Sequence, residues 1–227
     1  MNIFEKINLL YNLTGNYGYS ENEIIKAENK LEIKIPQILR EYYLKLGKNK
    51  NLNKSFNRLL SINNEEIGFT DDKNYFVFYE ENQCAAYWAI NTKDMEKNNP
   101  KVFRNYDPNN CVDEWLLDSE TIEGFLLSMA YWNGVMGGLK FNANYSNETV
   151  IKNSIIGNIE KNWKEIQGIT NQQLRFFSNN DNEIIVLTTD LEKNVNGIFI
   201  GTNNKKVFIE ILEKINIEWD YRSDKDI

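Results

Sequence analysis

The chain has 227 residues, of which 41% are hydrophobic and 13% aromatic, enough to bury a sizeable core and too apolar for a disordered segment. A formal net charge of −7 and a sequence pI of about 4.9 argue against phosphate neutralisation, and so against nucleic acid as the main partner. Histidine is absent, which excludes Ser-His-Asp and Cys-His nucleophile arrangements and the HExxH type of zinc site. The two cysteines, Cys84 and Cys111, do not make a metal motif, and free thiols in a reducing cytoplasm are expected.

In chain order, Ile3, Phe4, Ile7, Leu10 and Tyr11 form a helical stripe that Gly15 and Gly18 break. Broken apolar patches here predict no signal peptide, and no stretch elsewhere reaches transmembrane length. Ser20, with Glu23 three residues on, is a capping box for a helix running to Leu31. Ile33 to Pro36 reads as an extended link, because the residue before proline avoids the α region. Pro36 opens the next helix, with Leu39, Tyr42, Tyr43 and Leu46 on its apolar face and Gly47 as its C-terminal stop.

Tyr75-Phe76-Val77-Phe78-Tyr79 and Ala85 to Ile90 read as two strands of a hairpin, with Cys84 a small strand residue. Its tip is the polar cluster Glu80-Glu81-Asn82-Gln83. Asn98-Asn99-Pro100 predicts a turn and Lys101–Arg104 a third strand; a fourth apolar run is centred on Trp115. Ser119 caps a helix over 121–131 with Phe125, Leu126 and Met129 inward, and Gly134, Gly137 and Gly138 end it. Behind it, 150–164 is ambiguous, while 173–177, 183–188 and 197–201 read as strands. Lys205 to Lys214 fits a strand or a short helix. The division is a core over 1–140 and an α+β extension over 141–227 in the same globular unit.

Little here resembles catalysis. Glu80, Glu81, Asp107, Asp113 and Glu114 are candidates for an acid–base pair or a hard-cation site. No DxDxDG-like loop accompanies them, and neighbours such as Glu80 and Glu81 point to opposite faces of a strand. The Gly134–Gly138 cluster lacks the Lys-Ser pair of a phosphate loop and follows a helix, so it reads as a stop. Aromatics at strand and helix spacing read as core, with Trp88 and Trp115 inside and Trp132 partly exposed. No metal, cofactor or catalytic residue is expected, and the chain is not read as an enzyme.

Several motifs recur in the order of a known family. They are Ala27-Glu28-Asn29-Lys30-Leu31 with Ile35-Pro36, then Leu39-Arg40-Glu41-Tyr42-Tyr43 and Gly47. After these come Tyr79-Glu80-Glu81-Asn82-Gln83 with Trp88, Asn99-Pro100-Lys101-Val102, and Trp115 followed by Ser119 and Phe125-Leu126. Together they resemble the SMI1/KNR4 family, the SUKH superfamily. The resemblance implies an α+β fold, a mainly antiparallel sheet with helices packed against it. It marks Glu28, Pro36, Tyr43, Gly47, Trp88, Pro100 and Trp115 as family-motif positions of structural meaning.

Bacterial members are mostly immunity proteins of polymorphic or contact-dependent toxin systems, and fungal members are scaffolds in cell-wall signalling. The Asn, Lys and Ile bias fits an AT-rich bacterial genome. The expectation is a cytoplasmic protein that binds a basic cognate toxin domain, a nuclease among the options, with no direct contact to nucleic acid or membrane. Glu80, Glu81, Asn82, Gln83, Asp107 and Asp113 are its expected contact residues. The alternative is a non-catalytic scaffold or regulatory module for another protein.

Overall fold

A computed structural model describes residues 1–63, 66–106, 114–146, 151–169 and 173–225. The chain divides into two compact units, Gly15–Leu126 and Met1–Thr14 with Leu127–Ile227. Both are α+β, and each has its own antiparallel sheet. The resemblance implied one sheet; the segments after Gly138 build a second.

Helix α1 (Ile3–Tyr11) opens the chain. It starts on a capping box, in which Asn2 accepts the Glu5 N–H and Glu5 accepts that of Asn2. The first unit follows, with α2 (Glu21–Leu31), α3 (Gln37–Leu46) and the short α4 (Lys50–Asn53). Ser20 caps α2 as its sequence predicts, and Glu23 returns the bond to the Ser20 N–H at 2.8 Å. Its strands are β1 (Arg58–Leu59), β2 (Gly68–Phe69), β3 (Tyr75–Glu80), β4 (Tyr87–Asn91), β5 (Val102–Asn105) and β6 (Leu116–Ser119). They run in the order β1-β3-β4-β5-β6, with β2 also paired to β3.

A register shift between Val77 and Tyr79 makes a bulge in β3. Alternation would send Phe78 and Tyr79 to opposite faces; across the bulge both rings reach Phe125, at 5.5 and 5.4 Å. Phe125 and Phe78 are fully buried, and a ring so enclosed contributes about 1.5–3 kcal/mol relative to exposure.

Helix α5 (Ile122–Asn133) contains the boundary between the units. Its cap is Thr121, whose Oγ1 accepts the Gly124 N–H at 3.1 Å; Ser119, the expected cap, ends β6 and donates to the Thr121 carbonyl instead. A wide helical turn over Gly134–Gly138 ends α5, with Gly137 at φ +105°. The second sheet has the order β12-β7-β11-β10-β9-β8. Its strands are β7 (Phe141–Ser146), β8 (Lys164–Glu165), β9 (Leu174–Ser178), β10 (Glu183–Thr189), β11 (Val195–Thr202) and β12 (Tyr221–Arg222).

Helices α6 (Asn153–Asn162) and α7 (Lys205–Ile215) belong to the same unit. The segment that read equally as strand or helix is thus α7: Asn204 caps it, accepting the Lys206 and Val207 N–H groups, and Phe208, Ile211, Leu212 and Ile215 are its buried face. These four pack with Ile185, Leu187, Ile198 and Ile200 of the sheet. Among the described residues, no helix is long and apolar enough to cross a membrane.

Candidate functional site at the hairpin tip

The turn between β3 and β4 is organised by one carboxylate. Glu81 Oε2 accepts the Gln83 N–H at 2.7 Å and the Ala85 N–H at 3.3 Å. The Glu81 N–H donates to the Ala86 carbonyl and the Cys84 N–H to the Glu81 carbonyl. An ionised carboxylate only accepts, so a turn rich in inward N–H groups suits it. Cys84, expected on a strand, lies in this turn at φ +60°, because the strands end at Glu80 and Tyr87. It is a free, exposed cysteine.

Glu80 is not the open acidic contact its sequence suggested. Its side chain is 14% exposed, and Arg58 Nη2 lies 2.9 Å from Oε1. Arg58 stands directly opposite Glu80 in the β1–β3 register, so the pair is a cross-strand ion pair. The same Nη2 donates to Cys84 Sγ at 3.1 Å. Burial raises the Glu80 carboxyl above its usual range, while Arg58 pulls it back and Glu66 adds repulsion. Tyr87 is raised as well, chiefly by burial and then by Cys84 and Glu80. Arg58 went unnoticed in the sequence because nothing local to Phe56–Leu60 marks it; its meaning comes from a strand partner 22 residues away.

Asn82 and Gln83 are exposed at the tip, as are Cys84 and Ala85. Asp107, Asp113 and Cys111 lie outside the described residues. Among the described residues, no three His, Cys, Asp or Glu side chains group to hold a metal ion.

The motif positions have structural roles that can be read contact by contact. Glu28 is buried at 2% exposure; its Oε1 accepts the Ile35 N–H at 3.1 Å, and Lys34 and Arg40 neutralise it. It thereby pins the link that leads into Pro36, the N-cap of α3. The Tyr43 hydroxyl donates to the Leu60 carbonyl at 2.8 Å, and burial holds its pKa well above the ordinary value. Gly47 does stop α3, but at φ −59° rather than in the left-handed form. Its need is steric, since a Cβ there would lie 2.8 Å from both the Tyr19 ring and the Tyr43 carbonyl.

Trp88 is buried, edge-on to Tyr79 and against Phe125. Pro100 is buried beside Asn99, whose Oδ1 accepts the Glu123 N–H at the start of α5. Trp115, expected inside, is half-buried; it precedes the edge strand β6 and stacks on Tyr75 at 4.3 Å.

This unit, Gly15–Leu126, coincides with what comparison finds: residues 18–128 match the sequence model of the SMI1 / KNR4 family (SUKH-1). The similarity to the SMI1/KNR4 family is carried by residues 18–128, just under half of the chain. The buried Glu28, the Pro36 link and the tip of the β3–β4 hairpin all fall within it. No curated protein and no solved structure matches the chain.

Proposed function

We propose that the protein is an immunity protein, a non-catalytic cytoplasmic binder that neutralises a cognate polymorphic or contact-dependent toxin domain by stoichiometric occlusion. The observation that carries this reading is the SMI1/KNR4 (SUKH-1) match over 18–128, a family generally of immunity type. The hairpin tip supports it physically. Asn82 and Gln83 are presented on a turn that Glu81 holds from within, so little ordering entropy is left for a partner to overcome. Glu81 adds a negative charge beside them, and the net charge of −7 steers a basic toxin toward the protein.

The test is co-expression with the toxin domain encoded beside it. Rescue of growth with a stable one-to-one complex is expected, its association faster at low salt. Absence of both rescue and complex overturns the reading.

A further inference from the structure

The unit built on the second sheet holds a cleft of about 230 Å³ that the toxin-binding reading does not use. Its walls include Trp163 just after α6, Asn180 and Asn182 of the β9–β10 turn, Glu183 at the start of β10, and Glu210 and Lys214 on α7. Glu183 is 3% exposed. Its Oε1 accepts the Asn179 N–H at 2.9 Å, whereas its Oε2 is buried and has no hydrogen-bond donor among the described residues. Asn182 Oδ1, one residue earlier, is likewise buried and receives no donor. Two neighbouring orphan acceptors, one on a carboxylate, are an uncommon thing for a fold to keep.

The walls carry two carboxylates, Glu183 and Glu210, against one cation, Lys214. The Asn179 Nδ2 donor is already committed to the Asn162 carbonyl at 2.8 Å. The Trp163 ring carries a cation on its face, Lys214 Nζ at 5.1 Å from the centroid, which shows what that face attracts. An anion entering here would meet Glu183 and Glu210. An apolar ligand would leave both acceptors unsatisfied. Sites for drug-sized ligands run to roughly 300–1,000 Å³, so this cleft suits a group the size of one side chain.

We propose that this cleft binds a side-chain-sized organic cation, a guanidinium or primary ammonium group. The cation donates to Glu183 Oε2 and Asn182 Oδ1 and lies on the Trp163 face in place of Lys214. Such a group occurs free, as in a small amine, and on an arginine or lysine of a polypeptide.

The full chain, titrated by NMR, distinguishes the two sources. The probes are agmatine and putrescine as free cations, a blocked pentapeptide with one central arginine, and sodium sulfate as the anionic control. A Trp163→Phe variant assigns the Trp163 indole signal. A saturable shift of the Trp163 and Asn182 side-chain signals is expected with the cations or the peptide and not with sulfate. Response to the amines alone assigns a free ligand, and tighter response to the peptide assigns a protein-borne one. Glu183→Gln keeps an acceptor for Asn179 and loses the charge, so affinity falls about tenfold or more. Lys214→Ala, an exposed position, frees the indole face and tightens binding a few-fold, which keeps the test decisive if the Glu183 variant does not fold. No shift with either cation or the peptide up to about 10 mM, an equal shift with sulfate, or unchanged affinity in Glu183→Gln overturns the proposal.

Discussion

Glu80 ends β3 and Glu183 begins β10, each beside a tight turn in its own unit. In both, burial is the largest influence and raises the carboxyl above its ordinary value. Glu80 has Arg58 at 2.9 Å to offset that desolvation. Among the described residues, Glu183 is lowered only by backbone N–H groups, those of Asn179 and Asn180 and its own, with Asp181 adding repulsion. A desolvated carboxylate with its cation in place serves the shape of a hairpin. One without a cation keeps an unmet acceptor, and so keeps the capacity to bind. Buried carboxylates must therefore be sorted by what neutralises them before any is assigned a role.

The strongest way to break that contrast is at Glu81, whose carboxylate accepts two backbone N–H groups. Glu81→Ala removes the acceptor of two main-chain N–H groups and should cost about 2 kcal/mol. Urea unfolding measures the loss, and faster hydrogen exchange at Gln83 and Ala85 locates it. Glu183→Gln should act in the opposite direction and stabilise the protein by about 1 kcal/mol at neutral pH, since it removes a charge that burial opposes. The sign follows from the raised carboxyl. Above the folded-state value both folded and unfolded forms are ionised, and wild type carries its full deficit. As pH falls through that value toward the ordinary 4.5, the folded state takes up a proton first and the deficit shrinks, vanishing below 4.5. Thermal unfolding of the two proteins across this range should converge on the acid side.

What the sequence showed was what lies close along the chain. The Ser20–Glu23 capping box is legible because both halves of it sit within one turn of helix. The β3–β4 hairpin is legible because two runs of β-formers flank a polar tip. The bonds that give residues their meaning at a distance were not legible. Glu28 stood out only as a family-motif position, and its burial against Arg40 and the Ile35 N–H belongs to the fold. Trp115 read as core from its type, but its position before an edge strand leaves it half-exposed. Lys205–Ile215 carries apolar residues at both helical and strand spacing, so the Asn204 cap, a single residue outside the ambiguous window, settled what the pattern could not. Glu183 sits in an ordinary strand opening, and only the folded turn above it shows that one of its oxygens is unpaired.

Two smaller effects sharpen the comparison within the hairpin itself. Glu80→Gln should change stability by less than about 1 kcal/mol, because the lost pairing with Arg58 is offset by removal of a charge that burial opposes. A double-mutant cycle with Arg58→Met isolates the pairing and should show a coupling of about 0.5–1 kcal/mol, while Glu183→Gln should show no coupling to Arg58. Asn82→Ala with Gln83→Ala should change stability by less than about 0.5 kcal/mol, since both side chains are exposed and the turn is held by Glu81. Their effect belongs to binding: the same pair should slow association with a toxin little and speed dissociation, because uncharged groups contribute to contact rather than steering. Surface plasmon resonance at two salt concentrations separates the two rates. A faster off-rate at unchanged melting temperature assigns Asn82 and Gln83 to the interface, and an unchanged off-rate moves the contact surface away from the tip.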